Sequence, residues 1–306
     1  MPNIIVNADD FGLTVGVNRA IAELHAAGAL TSATLMANGA AFDDAVAVAR
    51  AHPSLGVGCH VVLVDGSPVS PPQEVAPLLA DPSPTLDNRT AGSFRSTPGA
   101  FLRDLYLGRI PAGVIEQEAI AQIRKIQRAG IHVTHIDTHK HLHSFPAVLR
   151  PVLRAAKACD VRAVRNPYEP DWSMRVESGA GWLRKLEVKL VRTRRSTFLR
   201  EVKRAGMITS DGAVGVLATG TMNTGLLRHL LKAMPAGTWE IVCHPGYDDA
   251  DLRKERTRLT VAREIERDAL LNVLPAQTLL HPMLVRFGGD ARGGSEGLGT
   301  SSASQD

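Results

Sequence analysis

The chain has little cysteine. Its three thiols, Cys59, Cys159 and Cys243, are odd in number and far apart, and no C-x-x-C pair exists. This argues against a disulfide framework and a cysteine-based zinc site, and fits a reducing, cytoplasmic setting in which small thiols are buried. Long apolar runs are missing as well. No stretch reaches the roughly 18 residues that a membrane-spanning helix needs. The opening residues, MPNIIVNADDFG, lack a basic segment followed by a long apolar one, so no secretory signal is expected. A Gly-rich dinucleotide fingerprint after the first predicted strand is also missing, which weakens an open nucleotide-binding sheet.

What is present is a regular alternation. Of the 306 residues, 44% are hydrophobic, enough for a substantial core. Predicted strands lie at 3–10, 32–39, 55–64, 132–139, 161–165, 212–219 and 238–246. Predicted helices lie at 15–28, 41–52, 113–130, 146–159, 222–234 and 252–272. Strand–helix alternation implies a parallel sheet with helical crossovers. About seven repeats predict a TIM-barrel-like (β/α) barrel whose site opens at the strand C-termini. A doubly wound open sheet is the alternative. One domain is expected over 1–287. Two segments break the pattern. Residues 65–112, rich in Pro, Ser, Gly and Asp, read as a long loop insertion, and 288–306 has the composition of a disordered tail.

Charge is concentrated in one place. Residues 182–204 hold nine Lys/Arg against Glu187 and Glu201, a local +7 that leaves about −3 for the rest of a chain whose net charge is +4. The basic character is therefore not a general nucleic-acid surface. Apolar residues in this segment, among them Leu186, Phe198, Leu199 and Val202, roughly follow helical spacing. Two readings stay open: a surface helix packed on the barrel, or a helix drawn to anionic lipid headgroups.

The stretch HIDTHKHLHSF, 135–145, holds four of the chain's 11 histidines. Side chains two apart on a strand share a face, so His135, Asp137 and His139 point one way, with His139 nearest the open end. His141 and His143 are expected on the loop above the mouth. Three other strand ends carry similar chemistry: NADDFG with Asp9 and Asp10, GCH with His60, and CHPGYDD with His244 and Asp248. A parallel barrel would gather all four at one mouth. There, one of the paired aspartates could bind a metal while the other handles a proton. Two histidines and a carboxylate with open positions suit a divalent cation that also holds water and substrate.

NADDFG, GVGCHVVL, THIDTHKHLH and VCHPGYDD, in this order, resemble the YdjC-like carbohydrate deacetylases. The resemblance covers most of residues 3–270. RNPYEPDWS and the basic segment after it are most similar to the hopanoid-biosynthesis-associated members. The resemblance implies one divalent ion, Mg²⁺ or Zn²⁺, on Asp10, His60 and His139. It implies Asp9 as general base and His244 as proton donor, in removing an acetyl group from an N-acetylated amino sugar, soluble or lipid-linked. Asp137, His141 and His143 are then candidate substrate-side residues, and Asp137 could also fix a histidine tautomer. Where family members often carry a further histidine, this chain has Lys140. The resemblance also implies a homodimer. A cytoplasmic protein is expected, with peripheral contact to the inner face of the membrane if 182–204 meets lipid. A metal-dependent phosphoesterase and a non-enzymatic metal- or sugar-binding protein are the competing readings.

Overall fold

The structure, a computed structural model, describes residues 1–80, 92–177, 186, 189, 191–277, 283, 284 and 287. Strand β1 (Pro2–Phe11) is buried from Ile4 onward. It leads into α1 (Val15–Ala26), whose N-cap is Thr14, with its hydroxyl accepting the Val17 N–H. The repeat continues as β2 (Ser32–Leu35), α2 (Phe42–Ala51), β3 (Gly56–Val61), α3 (Pro98–Tyr106), α4 (Ala112–Arg128), β4 (Ile136–Thr138) and α5 (Pro146–Ala158). It ends with α6 (Asp171–Val176), α7 (Arg195–Ala205), β5 (Gly212–Val214), α8 (Thr224–Ala233), β6 (Gly237–Cys243), α9 (Val261–Gln277) and β7 (Met283–Leu284).

All strand pairings are parallel, in the order β4-β3-β2-β1-β6-β5, with β7 beside the start of β1. Helices cover the sheet, so its strands are near-continuously buried, as parallel strands require. Residue 58 must be small. A Cβ at Gly58 would stand 2.6 Å from the ring of His135, which packs across it.

The expected parallel α/β class is present, with the sheet curled into a half-barrel and full ladders from β4 through β1 to β5. Residues 161–165, predicted as a strand, contribute only single bridges, Ile136↔Val164 and Ala163↔Ile208. The reason is local. Pro167 has no N–H to extend the ladder, and β5 stops where Gly215 turns to φ +97°.

The insertion at 65–112 is also more ordered than expected. It holds a 3₁₀ turn (Ala76–Leu78) and α3, which starts with Thr97 as N-cap and Pro98 in its first turn. Its base is pinned to α4: Glu118 accepts the N–H groups of Val69 and Ser70, and Gln122 bonds both the N–H and the carbonyl of Val62. Residues 81–91 of the insertion and the predicted tail at 288–306 lie outside the described residues, as does much of 178–190. One face of the described part of the basic segment packs inward. α7 buries Phe198 and Val202, and Arg150 of α5 pairs with Glu201. Among the described residues no helix is long and apolar enough to cross a membrane.

Candidate metal centre

Asp10 closes β1 with its backbone in the left-handed region, φ 62°, at a register shift between Ala8 and Phe11. Aspartate tolerates this conformation better than most residues. The kink lets two adjacent aspartates serve one pocket. Neither aspartate is spent on capping α1, whose N-cap is Thr14. β3 brings in His60, and the register His60↔Asp137 sets β4 beside it. His139 follows immediately after β4.

Three ligand atoms converge. His60 Nε2 lies 3.6 Å and His139 Nδ1 lies 3.3 Å from Asp10 Oδ1, and the two nitrogens are 3.2 Å apart. An ion bound about 2.1 Å from each, with tetrahedral angles, would set them roughly 3.4 Å apart, so this donor set fits a divalent cation. Neighbours fix the ligands from behind. Asp137 Oδ1 is 2.8 Å from His60 Nδ1, which leaves Nε2 to face the centre. Arg263 Nη2 donates to Asp10 Oδ2 at 2.6 Å. Such outer partners orient ligands and set their basicity.

A second grouping, Asp9, His60 and Asp137, has metal-like spacing but a different occupant. The fully buried Arg165 donates to both carboxylate oxygens of Asp9, at 2.6 and 2.8 Å, pairs with Asp137, and gives its Nε–H to Glu240 at 2.6 Å. The guanidinium is already the partner of two of the grouping's three members, Asp9 and Asp137.

Three carboxylates around one guanidinium shape the electrostatics. Burial opposes ionisation of Asp9, but Arg165, with His60 and His244, outweighs it and holds the carboxyl well below the usual range. At Asp10 burial is likewise overcome, by Arg263 and His139. At His60 burial disfavours the charge, yet Asp137, Asp9 and Asp10 push the imidazole up to about 9. Glu240 yields to burial and is pushed up to about 7 despite Arg165. Asp9 and Asp10 are thus held toward the charged form, while Glu240, behind Arg165, is pushed toward the neutral one.

The remaining predicted residues fall as follows. His244, after β6, sets Nε2 3.9 Å from Asp9 Oδ2. Asp137 is fully buried and engaged by His60, Arg165 and Thr34, which gives it the tautomer-fixing position and no face toward a sugar. His141 is half-buried on the loop, where Lys140 and His141 both have positive φ. His143 departs from its expected place above the mouth. It is fully buried, its Nδ1 bonded to the Thr138 hydroxyl at 2.8 Å and its ring beside Phe198 of α7. The reason is the left-handed turn at 140–141, which folds the chain back into the core. His135 is buried too, bonded to Asn7 and Thr134. Lys140 sits at the rim and pairs with Asp65 at 2.6 Å. Asp248 is tied to Arg253 on the surface. Sequence reasoning missed Arg165, Glu240, Arg263 and Glu266.

The family model described as YdjC-like protein matches residues 3–279. The chain belongs to the YdjC-like family. It is 30% identical over 270 residues to the carbohydrate deacetylase of Oceanobacillus iheyensis, covering 88% of this chain and 95% of that one. It is 45% identical over 165 residues to the carbohydrate deacetylase of Brevibacillus brevis. That match spans 54% of this chain and 59% of the Brevibacillus protein. The mouse protein of the same name is 31% identical over 257 residues, 80% of this chain and 78% of that one. Among solved structures, one from Enterococcus faecalis V583, described as a cellobiose-phosphate cleavage protein, has the same fold. It superposes with a TM-score of 0.74 over 94% of this chain and 97% of that one, at 23% identity.

Proposed function

We propose that this YdjC-like chain is a metal-dependent hydrolase that removes the acetyl group from an N-acetylated amino sugar. The carrying observation is that the Asp10–His60–His139 triangle lies next to Asp9, whose carboxyl Arg165 holds toward the charged form, with His244 Nε2 3.9 Å from Asp9 Oδ2. Relatives named carbohydrate deacetylase supply the substrate class. A divalent ion held by Asp10, His60 and His139 would supply Lewis acidity to a water and to the acetyl carbonyl. Arg165 holds Asp9 toward the charged form, and Asp9 is the group assigned to take the proton of the attacking water. Arg165 fixes the direction of its lone pairs. As the C–N bond breaks, His244 Nε2 gives a proton to the departing nitrogen. The products are the amine and acetate.

The competing phosphoesterase of the two-metal kind needs a second cation site. The second acidic grouping is occupied by Arg165, which favours the single-ion amidase. A finer reading also belongs here: the amino sugar is lipid-linked, as on a glycosylated hopanoid, and the basic segment brings the enzyme to its carrier. The test incubates protein loaded with Mg²⁺ or Zn²⁺ with chitin oligosaccharides, acetylated amino-sugar lipids and a phosphate ester. Acetate is followed by mass spectrometry and phosphate by colour. Acetate release is the expected result. Phosphate release alone points to the phosphoesterase, and metal binding with neither product to a binding protein.

A further inference from the structure

Helix α9 reaches the site with two buried charges three residues apart, Arg263 and Glu266, each 1% exposed. That spacing puts both on one helix face, while Ile265 and Asp268 look outward. Arg263 serves Asp10, as described. Glu266 serves a different group. Its Oε2 accepts the backbone N–H of His244 at 2.7 Å, and its Oε1 accepts that of Gly220 at 3.1 Å. The same Oε2 stands 3.9 Å from His244 Nδ1, a buried ring nitrogen with no hydrogen-bond partner of its own. On the opposite side of the ring, Nε2 faces Asp9 Oδ2, also at 3.9 Å. The imidazole therefore sits between two carboxylates. One, from α9, faces the nitrogen turned away from the pocket; the other, Asp9, lies in it.

We propose that Glu266 is the positioning residue for His244 as proton donor, and that α9 thereby sets the proton donor and the metal-binding carboxylate from one rigid face. Tying two loops together needs only a neutral acceptor. Burying a carboxyl group for that purpose alone is costly. A carboxylate opposite Nδ1 does more. It faces the Nδ1–H, so that the proton given away is the one on Nε2, and it aims Nε2 at the leaving nitrogen, in the way outer carboxylates orient metal-bound histidines. The helix is also the better platform, since side chains on regular elements are held more tightly than those on loops. The inference rests on the deacetylase reading.

The test compares wild type, Glu266→Gln and Glu266→Asp, each loaded with whichever of Mg²⁺ or Zn²⁺ supports wild-type turnover. Two substrates are used. Di-N-acetylchitobiose has an amine that must be protonated to leave, whereas 4-nitrophenyl acetate has a phenolate that leaves without a proton. Glu266→Gln should lower kcat on the acetamide by about 10- to 100-fold, the usual loss for an outer partner. Its KM, metal affinity and aryl-ester hydrolysis should be unchanged, and Glu266→Asp should recover part of the loss. Arg263→Gln is the contrasting control: it should weaken metal binding and depress both substrates together. Parallel loss of both substrates in Glu266→Gln, a shift in its metal affinity, failure of both Glu266 variants to fold, or full acetamide activity would each overturn the assignment in favour of a structural tie. A wild type without acetate release from the acetamide would overturn the deacetylase reading, and this proposal with it.

Discussion

Arg165 grips Asp9 with both ends of its guanidinium, Nη2 on Oδ1 at 2.6 Å and Nη1 on Oδ2 at 2.8 Å, with neither residue open to solvent. The fork fixes the plane of the carboxylate, and so the direction from which it can take a proton. Lysine cannot reproduce the fork. Arg165→Lys should lower kcat more than it changes KM. Arg165→Met, which removes the guanidinium shared by Asp9, Asp137 and Glu240, should cost about 3–5 kcal/mol of stability. Steady-state kinetics and urea unfolding check the pair. A lysine variant with normal kcat would show that the orientation of Asp9 is unimportant.

Binding and proton transfer are separable in this pocket because Asp9 and Asp10 face different partners. Asp10→Ala, His60→Ala and His139→Ala should each lose bound metal, measured by elemental analysis after dialysis. Asp9→Asn should keep the metal and lose turnover by on the order of 10²-fold or more. Normal metal content in any two of the three alanine variants would remove the triangle as the binding site. Normal turnover in Asp9→Asn would leave Asp9 a structural partner of Arg165.

These residues differ in how far the sequence exposes them. Asp9, Asp10, His60, His139 and His244 are legible because each closes or follows an apolar run, and parallel strands bring such ends together. Arg165 and Glu240 left a fainter mark. Each is a charge inside a short apolar strand pattern, VRAVR and TWEIVC, where an unpaired charge would be prohibitively costly. Two opposite charges in two such strands imply a pair. Arg263 and Glu266 leave no such mark. They stand in VAREIERDALL among Glu264, Arg267 and Asp268, a pattern identical to that of a solvated helix face. Only the docking of α9 decides which charges turn inward. The helix α3 was legible in principle, from Thr97 as N-cap before Pro98, but the surrounding Pro and Ser obscured it. That 161–165 makes single bridges where a ladder was expected was not legible, because single bridges and full ladders share one apolar pattern.

The metal-free protein should depend on pH through His60. Its imidazole is pushed up to about 9, with burial opposing and Asp137 leading the groups that favour the charge. A pKa raised on folding contributes stability that is complete below the unfolded value of about 6.5 and is lost as pH rises through about 9. The metal-free form should therefore lose stability across that window, and metal should restore it. Because the ion must displace the proton from His60 Nε2, binding at pH 7 should release close to one proton, and affinity should rise toward pH 9. Calorimetry in buffers of different ionisation enthalpy measures the proton count. Metal uptake at pH 7 with no proton release would mean that His60 is already neutral or is not a ligand.

The basic segment allows a decision between its two readings. α7 packs Phe198 and Val202 inward, and Arg192 pairs with Asp171, so part of this charge is committed within the fold. Arg200, Lys203 and Arg204 remain on the outer face of α7. Near an anionic bilayer each such cation contributes about 1 kcal/mol, so several acting together give weak, reversible binding at low salt. Binding should fade as added salt shortens the Debye length. Reversing Arg200, Lys203 and Arg204 to Glu should abolish sedimentation with phosphatidylserine vesicles. It should leave deacetylation of a soluble chitin oligosaccharide intact, because none of the three approaches the metal centre. Reversal also tests packing, since Phe198 and Val202 are untouched and the melting temperature should hold. Wild-type protein that ignores anionic vesicles at low salt would make α7 a solvated surface helix and leave a soluble oligosaccharide as the substrate.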